Sequence, residues 1–200
     1  MFPMSILTRT AAAFGATFPT IPLRLYVEAL GGVAHAVVEG TSQIGIIGSL
    51  PLGSPTLLVE RLLAVQMIFV AAPTHALARL PAPATPRDLE AQTQLVLTDR
   101  TELSKGREFG VLSPRTWRLA DLGAKHEFLR AGLGWGSMPL EMVARDLAEG
   151  TLVELRLADL PARQPLLMSA TYRTDAPPGP AGRWFVERLR QFAEPSLIPS

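Results

Sequence analysis

Apolar and polar residues recur with two different periods along this chain, and the switches between them mark out its elements. Ile6, Leu7, Ala11, Phe14 and Phe18 fall at helical spacing, which predicts a helix over 5–18. Phe18-Pro19 ends it, because the residue before a proline is pushed out of the helical region. Ile21, Leu23, Leu25 and Val27 then alternate with Thr20, Pro22, Arg24 and Tyr26. A period of two predicts a strand with one buried face. Gly31-Gly32 reads as a turn, and residues 33–39 as a short helix stopped by Gly40. Residues 44–47 predict a short strand that ends at Gly48-Ser49.

Residues 57–60 and 63–71 read as two further strands, broken off by Pro73-Thr74-His75. Three prolines in 80–86 make that stretch the best linker candidate. Thr85-Pro86-Arg87-Asp88 carries a helix start, with Thr85 as cap, Pro86 at the first helical position and Asp88 where a capping box wants an acid. Strands follow at 94–97 and 116–120, separated by a polar loop. Asp121 opens an amphipathic helix to Ala131, expected to turn Leu122, Phe128, Leu129 and Ala131 inward. Then come a Gly132-Leu133-Gly134 turn, a strand at 135–138, a helix at 140–147, strands at 152–155 and 166–172, and a last helix at 183–193. Strand and helix alternate through most of the chain. That order predicts an α/β fold with largely parallel sheets.

Composition narrows the functional classes. Two hundred residues suit one large domain or two small ones. Hydrophobic residues make up 48% and charged residues 18%, so a packed core is expected rather than disorder. The 19 basic and 18 acidic residues leave a net charge of +1, which is no electrostatic footprint for nucleic acid or an anionic membrane. The absence of cysteine excludes disulfides, thiolate nucleophiles and Cys-ligated metals, and fits a reducing compartment. His35, His75 and His126 lie far apart, so no metal site is expected. Pro3 and Arg9 interrupt any signal-like apolar run, and no window is long and apolar enough for a membrane span.

Few motifs carry chemistry. Gly132-Leu133-Gly134-Trp135-Gly136 has the look of a dinucleotide-binding loop, but a helix precedes it and a strand follows. Pyrophosphate binding needs the reverse order, so a helix-to-strand turn is expected. Ser137 lacks the flanking glycines of a nucleophile elbow, since Trp135 and Pro139 occupy those positions. Asp99-Arg100-Thr101-Glu102, just after a strand, reads as either a solvated loop or a binding loop. Ile47-Gly48-Ser49 stands in the equivalent place after an earlier strand, as a turn or as a hydrogen-bonding edge for a small ligand. His126 is expected at the surface, and Trp117, Trp135 and Trp184 in the core, with ligand contact open only to Trp135. No acid/base or nucleophile constellation emerges, so no catalysis and no cofactor are expected.

Several segments together resemble the effector-binding domain of LysR-type transcriptional regulators. They are the helix ending Phe18-Pro19, Glu28-Ala29-Leu30-Gly31-Gly32, Ala36-Val37-Val38-Glu39-Gly40 and Ile44-Gly45-Ile46. Further along come Val70-Ala71-Ala72-Pro73-Thr74-His75-Ala76-Leu77-Ala78, Ala131-Gly132-Leu133-Gly134-Trp135-Gly136-Ser137-Met138-Pro139 and Gly150-Thr151-Leu152-Val153. The resemblance implies two Rossmann-like subdomains joined by two crossover strands, as in type 2 periplasmic binding proteins. Subdomain one would be 1–72 with 171–200, and subdomain two 73–170.

It also implies a small-molecule effector bound between the subdomains. Loop starts at strand ends would face it: Leu30, Gly31, Gly48, Ser49, Thr98, Asp99, Arg100, Trp135 and Ser137. Arg100 suits a carboxylate effector, because guanidinium binds carboxylate bidentately. A homodimer or tetramer in the cytoplasm is implied, with residues 5–18 of one copy facing 121–131 of another. DNA contact would come only through a winged helix-turn-helix, of which these residues carry none. A transporter's solute-binding protein shares the fold and is the alternative.

Overall fold

A computed structural model of the chain describes residues 1–29, 31–48, 56–98 and 110–193. In chain order its elements are α1 (Met4–Thr17), α2 (Gly31–Val38), β1 (Gly45–Gly48), β2 (Leu57–Ala71), a 3-10 turn (Ala76–Arg79) and α3 (Pro86–Glu90). Then come β3 (Gln94–Leu97), β4 (Thr116–Leu119), α4 (Leu122–Arg130), β5 (Trp135–Pro139), α5 (Leu140–Glu149), β6 (Val153–Leu155), β7 (Gln164–Arg173) and α6 (Pro180–Ala193). The chain divides into two compact units. Met1–Val65 and Leu166–Ser200 build the first, and Gln66–Arg100 with Ser104–Pro165 builds the second. Strands β2 and β7 therefore each change unit within their own length, and strand pairing runs on in the order β1-β7-β2-β5-β3-β4.

In the first unit, β1 lies antiparallel to β7, with Gly45 opposite Thr171 and Gly48 opposite Met168. The Thr171 hydroxyl donates to the Leu58 carbonyl at 2.8 Å, tying β7 to β2. Helix α2 packs closely on β1. A side chain at Gly45 would come within 2.8 Å of Val33 and 2.9 Å of Val37. Helix α1 packs on α6 through aromatic rings, with Phe14 edge-on to Phe185 at 5.6 Å between centroids. Phe18 meets Trp184 edge-on at 5.4 Å.

The expected strand at 20–27 does not form. The segment takes no regular secondary structure, and its apolar side chains are exposed, from 43% at Ile21 to 67% at Tyr26. Alternation gives a segment the right faces, but a strand also needs a neighbour for its backbone groups, and none among the described residues supplies one. The two strands expected at 57–60 and 63–71 are a single strand, β2. Leu62 and Leu63 are both buried within it, close to where it passes from one unit to the other. That change of surroundings blurred its alternation.

The second unit centres on β5. It runs antiparallel to β2, with Phe69 opposite Ser137, and parallel to β3, with Gln94 opposite Trp135. β3 runs parallel to β4, and β6 antiparallel to β2. The sheet is thus mixed, not largely parallel as the element order predicted, because β2 runs against β5. Both faces are covered. Ile68, Val70, Leu95, Met138 and Leu129 pack on one side, and Phe69, Ala71, Trp135, Leu89 and Leu155 on the other.

The proline-rich 80–86 stretch is no linker. It lies inside the second unit, where Ala84 bridges to the segment at Leu157 through two 2.8 Å backbone hydrogen bonds. The capping box read from Thr85 and Asp88 is present. Helix α4 is rotated from its expected phase. Leu122, Lys125 and Leu129 are buried, while Phe128 and Ala131 are exposed and Phe128 meets Trp117 edge-on at 6.5 Å.

Candidate functional site

Parallel strands β3 and β5 bring two of the expected ligand residues toward one end of the second unit's sheet. Continuing the register of Gln94 opposite Trp135 sets Ser137 beside Val96, two residues short of Thr98. Both residues are half-buried, and the Thr98 N–H donates to the Leu119 carbonyl at 2.8 Å. Thr98 lies just past the carboxyl end of β3, where ligands of open α/β sheets sit, while Ser137 is the third of the five residues of β5. Trp135, by contrast, is wholly buried. Its ring lies 6.0 Å from Phe69 in the core, and its indole N–H meets no acceptor among the described residues. In the first unit, Gly31 is buried at the start of α2 and Gly48 closes β1. Leu30, Ser49, Asp99 and Arg100 lie outside the described residues.

Three polar groups that the sequence reading passed over shape the second unit. The ammonium of Lys125 is buried beneath β5 and donates to the Ser137 carbonyl at 2.8 Å. Burial brings its pKa down to about 8. Gly136 leaves the room for it, since a side chain there would lie 3.2 Å from the Lys125 Cε. The side chain of Gln94 fixes the segment that precedes β4. Its Nε2 donates to the Gly110 carbonyl at 2.7 Å, and its Oε1 accepts from the Leu112 and Ser113 N–H groups at 2.7 and 3.1 Å.

The carboxylate of Asp146 on α5 joins α4 to the turn before β6. His126 Nε2 is 2.8 Å away, Arg130 Nε 3.2 Å, and the Thr151 hydroxyl donates at 2.9 Å. Burial pushes this carboxyl up, but the Thr151 and His126 hydrogen bonds and the neighbouring cationic groups outweigh it and hold its pKa below the ordinary value. His126 is therefore not the free surface residue expected. The i, i+3, i+7 spacing of Leu122, Lys125 and Leu129 was the sequence signal for a lysine on the apolar stripe.

Among the described residues, no group of three or more His, Asp or Glu gathers to hold a metal. No helix among them is long and apolar enough to cross a membrane. The second unit brings the half-buried Thr98 and Ser137 near a buried cationic lysine, an arrangement that suits binding.

Comparison with known proteins agrees in sequence and in fold. A model of the LysR substrate binding domain matches residues 1–194. An uncharacterized HTH-type transcriptional regulator of Escherichia coli K12, YeeY, is 25% identical over 191 residues. The match takes in 94% of this chain and 60% of that protein, so the chain spans less than two thirds of the relative's length. The regulatory domain of Synechocystis CcmR, solved in complex with 2-PG, superposes with a TM-score of 0.76 at 15% identity, over 98% of this chain and 94% of that one. The effector-binding domain of QuiR, solved with shikimate, gives 0.73 at 12% identity over 96% and 92%. The regulatory domain of the LysR family regulator MetR from N. meningitidis gives 0.70 at 17% identity over 96% and 89%. The fold is mixed α/β of the type 2 periplasmic-binding-protein kind, and the chain belongs to the LysR substrate-binding domain family.

Proposed function

We propose that this domain senses a small-molecule effector and passes its occupancy to transcription through DNA-binding domains carried elsewhere in the whole regulator. The match of the family model to residues 1–194 carries this reading. The place of Thr98, just past the carboxyl end of β3 and near Ser137 of β5, supports it. So do the neighbours solved with shikimate and with 2-PG. The two units serve as regulatory subdomains, close to the expected 1–72 with 171–200 and 73–170. Effector contacts come from the strand-end positions Leu30, Gly31, Gly48 and Ser49 in one and Thr98, Asp99, Arg100 and Ser137 in the other. Trp135 acts from the core behind them.

The domain performs no catalysis. The effector binds one of two regulatory states more tightly and so shifts their populations. The linkage is reciprocal, and DNA occupancy feeds back on effector affinity. The regulator works in the cytoplasm, where the DNA is, as a dimer or tetramer.

A thermal-shift screen of small carboxylates, phosphates, sugars and aromatic compounds tests the reading. A true effector raises the melting temperature in a concentration-dependent way, following RT ln(1 + [L]/Kd). If no compound class stabilises the protein, the sensing role is wrong. For a carboxylate hit, Arg100→Ala is expected to weaken binding at least tenfold by calorimetry. Unchanged affinity would remove Arg100 from the site.

A further inference from the structure

Lys125 is 2% exposed, yet among the described residues no carboxylate stands against its ammonium. Among those residues its acceptor is one neutral group, the Ser137 carbonyl. Leu122 and Leu129, on the same face of α4, pack into the apolar core of the second unit. A charge buried beside such a core on a single carbonyl costs stability, and a methionine of similar shape would not bear that cost. With its pKa at about 8, the group is still cationic at neutral pH. The chain also makes room for it. A side chain at Gly136 would stand 3.2 Å from the Lys125 Cε and 2.6 Å from the Leu95 carbonyl oxygen. The bond ends on the carbonyl of a residue that the effector reading places in the site. Charge held there acts on whatever binds at the ends of β3 and β5, and through a low-dielectric interior it does so without contact.

We propose that Lys125 sets the class of effector: from beneath the Ser137 peptide it makes the β3–β5 strand ends select an anionic group, a carboxylate or phosphate, over a neutral one. The inference rests on the effector-sensing reading above. It makes Lys125 a specificity-determining residue that need not touch the ligand. A purely structural lysine, tying α4 to β5, behaves differently. Its replacement would lower stability and leave ligand preference unchanged.

The test uses the 200-residue chain at pH 7 and constant ionic strength. Acetate, inorganic phosphate and acetamide, the neutral counterpart of acetate, are titrated while the amide resonances of Thr98, Met138 and Leu140 are followed by NMR. The expected result is a saturable shift with acetate or phosphate, with acetamide at least tenfold weaker. Lys125→Met should abolish that preference and raise the melting temperature, and Lys125→Arg should keep the preference. A native protein that binds acetamide as well as acetate overturns the proposal, as does a Lys125→Met variant that keeps the anion preference. If Lys125→Met fails to fold, Lys125→Gln takes its place with the same expectations for ligand preference. A neutral hit from the effector screen that moves these amides while anions do not also overturns it, and leaves effector sensing intact. Failure of every compound in that screen removes instead the reading on which it rests.

Discussion

Lys125 and Trp135 each bury a polar group that, among the described residues, meets one acceptor or none, and they call for opposite tests. For Lys125 the sign follows from the two pKa values. The ordinary value in an unfolded chain is about 10.4, and the folded one is about 8. Between them the unfolded chain holds more protons, so stability rises with pH across that window, by up to about 1.4 kcal/mol per pH unit. Urea unfolding from about pH 7 to 10 should show the native protein gaining on Lys125→Met over this range, with no relative change below about pH 7. Trp135 packs fully in the core, but its indole N–H has no acceptor among the described residues. Trp135→Phe removes the unmet donor and keeps most of the ring. It should fall within about 1 kcal/mol of the native protein in urea unfolding, against a loss of about 3–5 kcal/mol for Trp135→Ala.

At the level of elements, local signals were strong where the partner is the chain's own next turn. Thr85, Pro86 and Asp88 set the start of α3, and Gly150 ends α5 in the left-handed conformation at φ 72°. Asp121 caps α4 through the Ala124 N–H at 2.6 Å. Signals that depend on a distant partner were weaker. The alternation at 20–27 met no neighbouring strand among the described residues, and the proline-rich 80–86 stretch is pinned to the Leu157 segment through Ala84. The first of these has a direct consequence. An exposed segment outside any helix or strand is a preferred substrate of a protease. Limited trypsin digestion should cut after Arg24 before any arginine within a described helix or strand, as read by mass spectrometry. Early cleavage inside β2 or α5 instead would show that the segment is protected.

For the molecule as a whole, the exposed apolar side chains among the described residues include those of the 21–27 segment and the Trp117–Phe128 pair on β4 and α4. The family resemblance implied that residues 121–131 of one copy face another copy, and Phe128 at 37% exposure offers such a contact. Phe128→Asp should therefore lower self-association in sedimentation velocity while leaving the circular dichroism spectrum unchanged. An unchanged oligomer distribution would place the contact elsewhere.

The chain alone pointed to the family, most of the helices and strands, and the starts of α3 and α4, because these signals lie within a few positions of one another. Tertiary structure decided the rest. The direction of β2 made the sheet mixed, and the burial of β5 turned Trp135 from a ligand candidate into core. The phase of α4 put Lys125 rather than Phe128 beneath the sheet. Those outcomes depend on which surface each element meets. A helical stripe or a strand face has a partner only once segments far apart in sequence have come together.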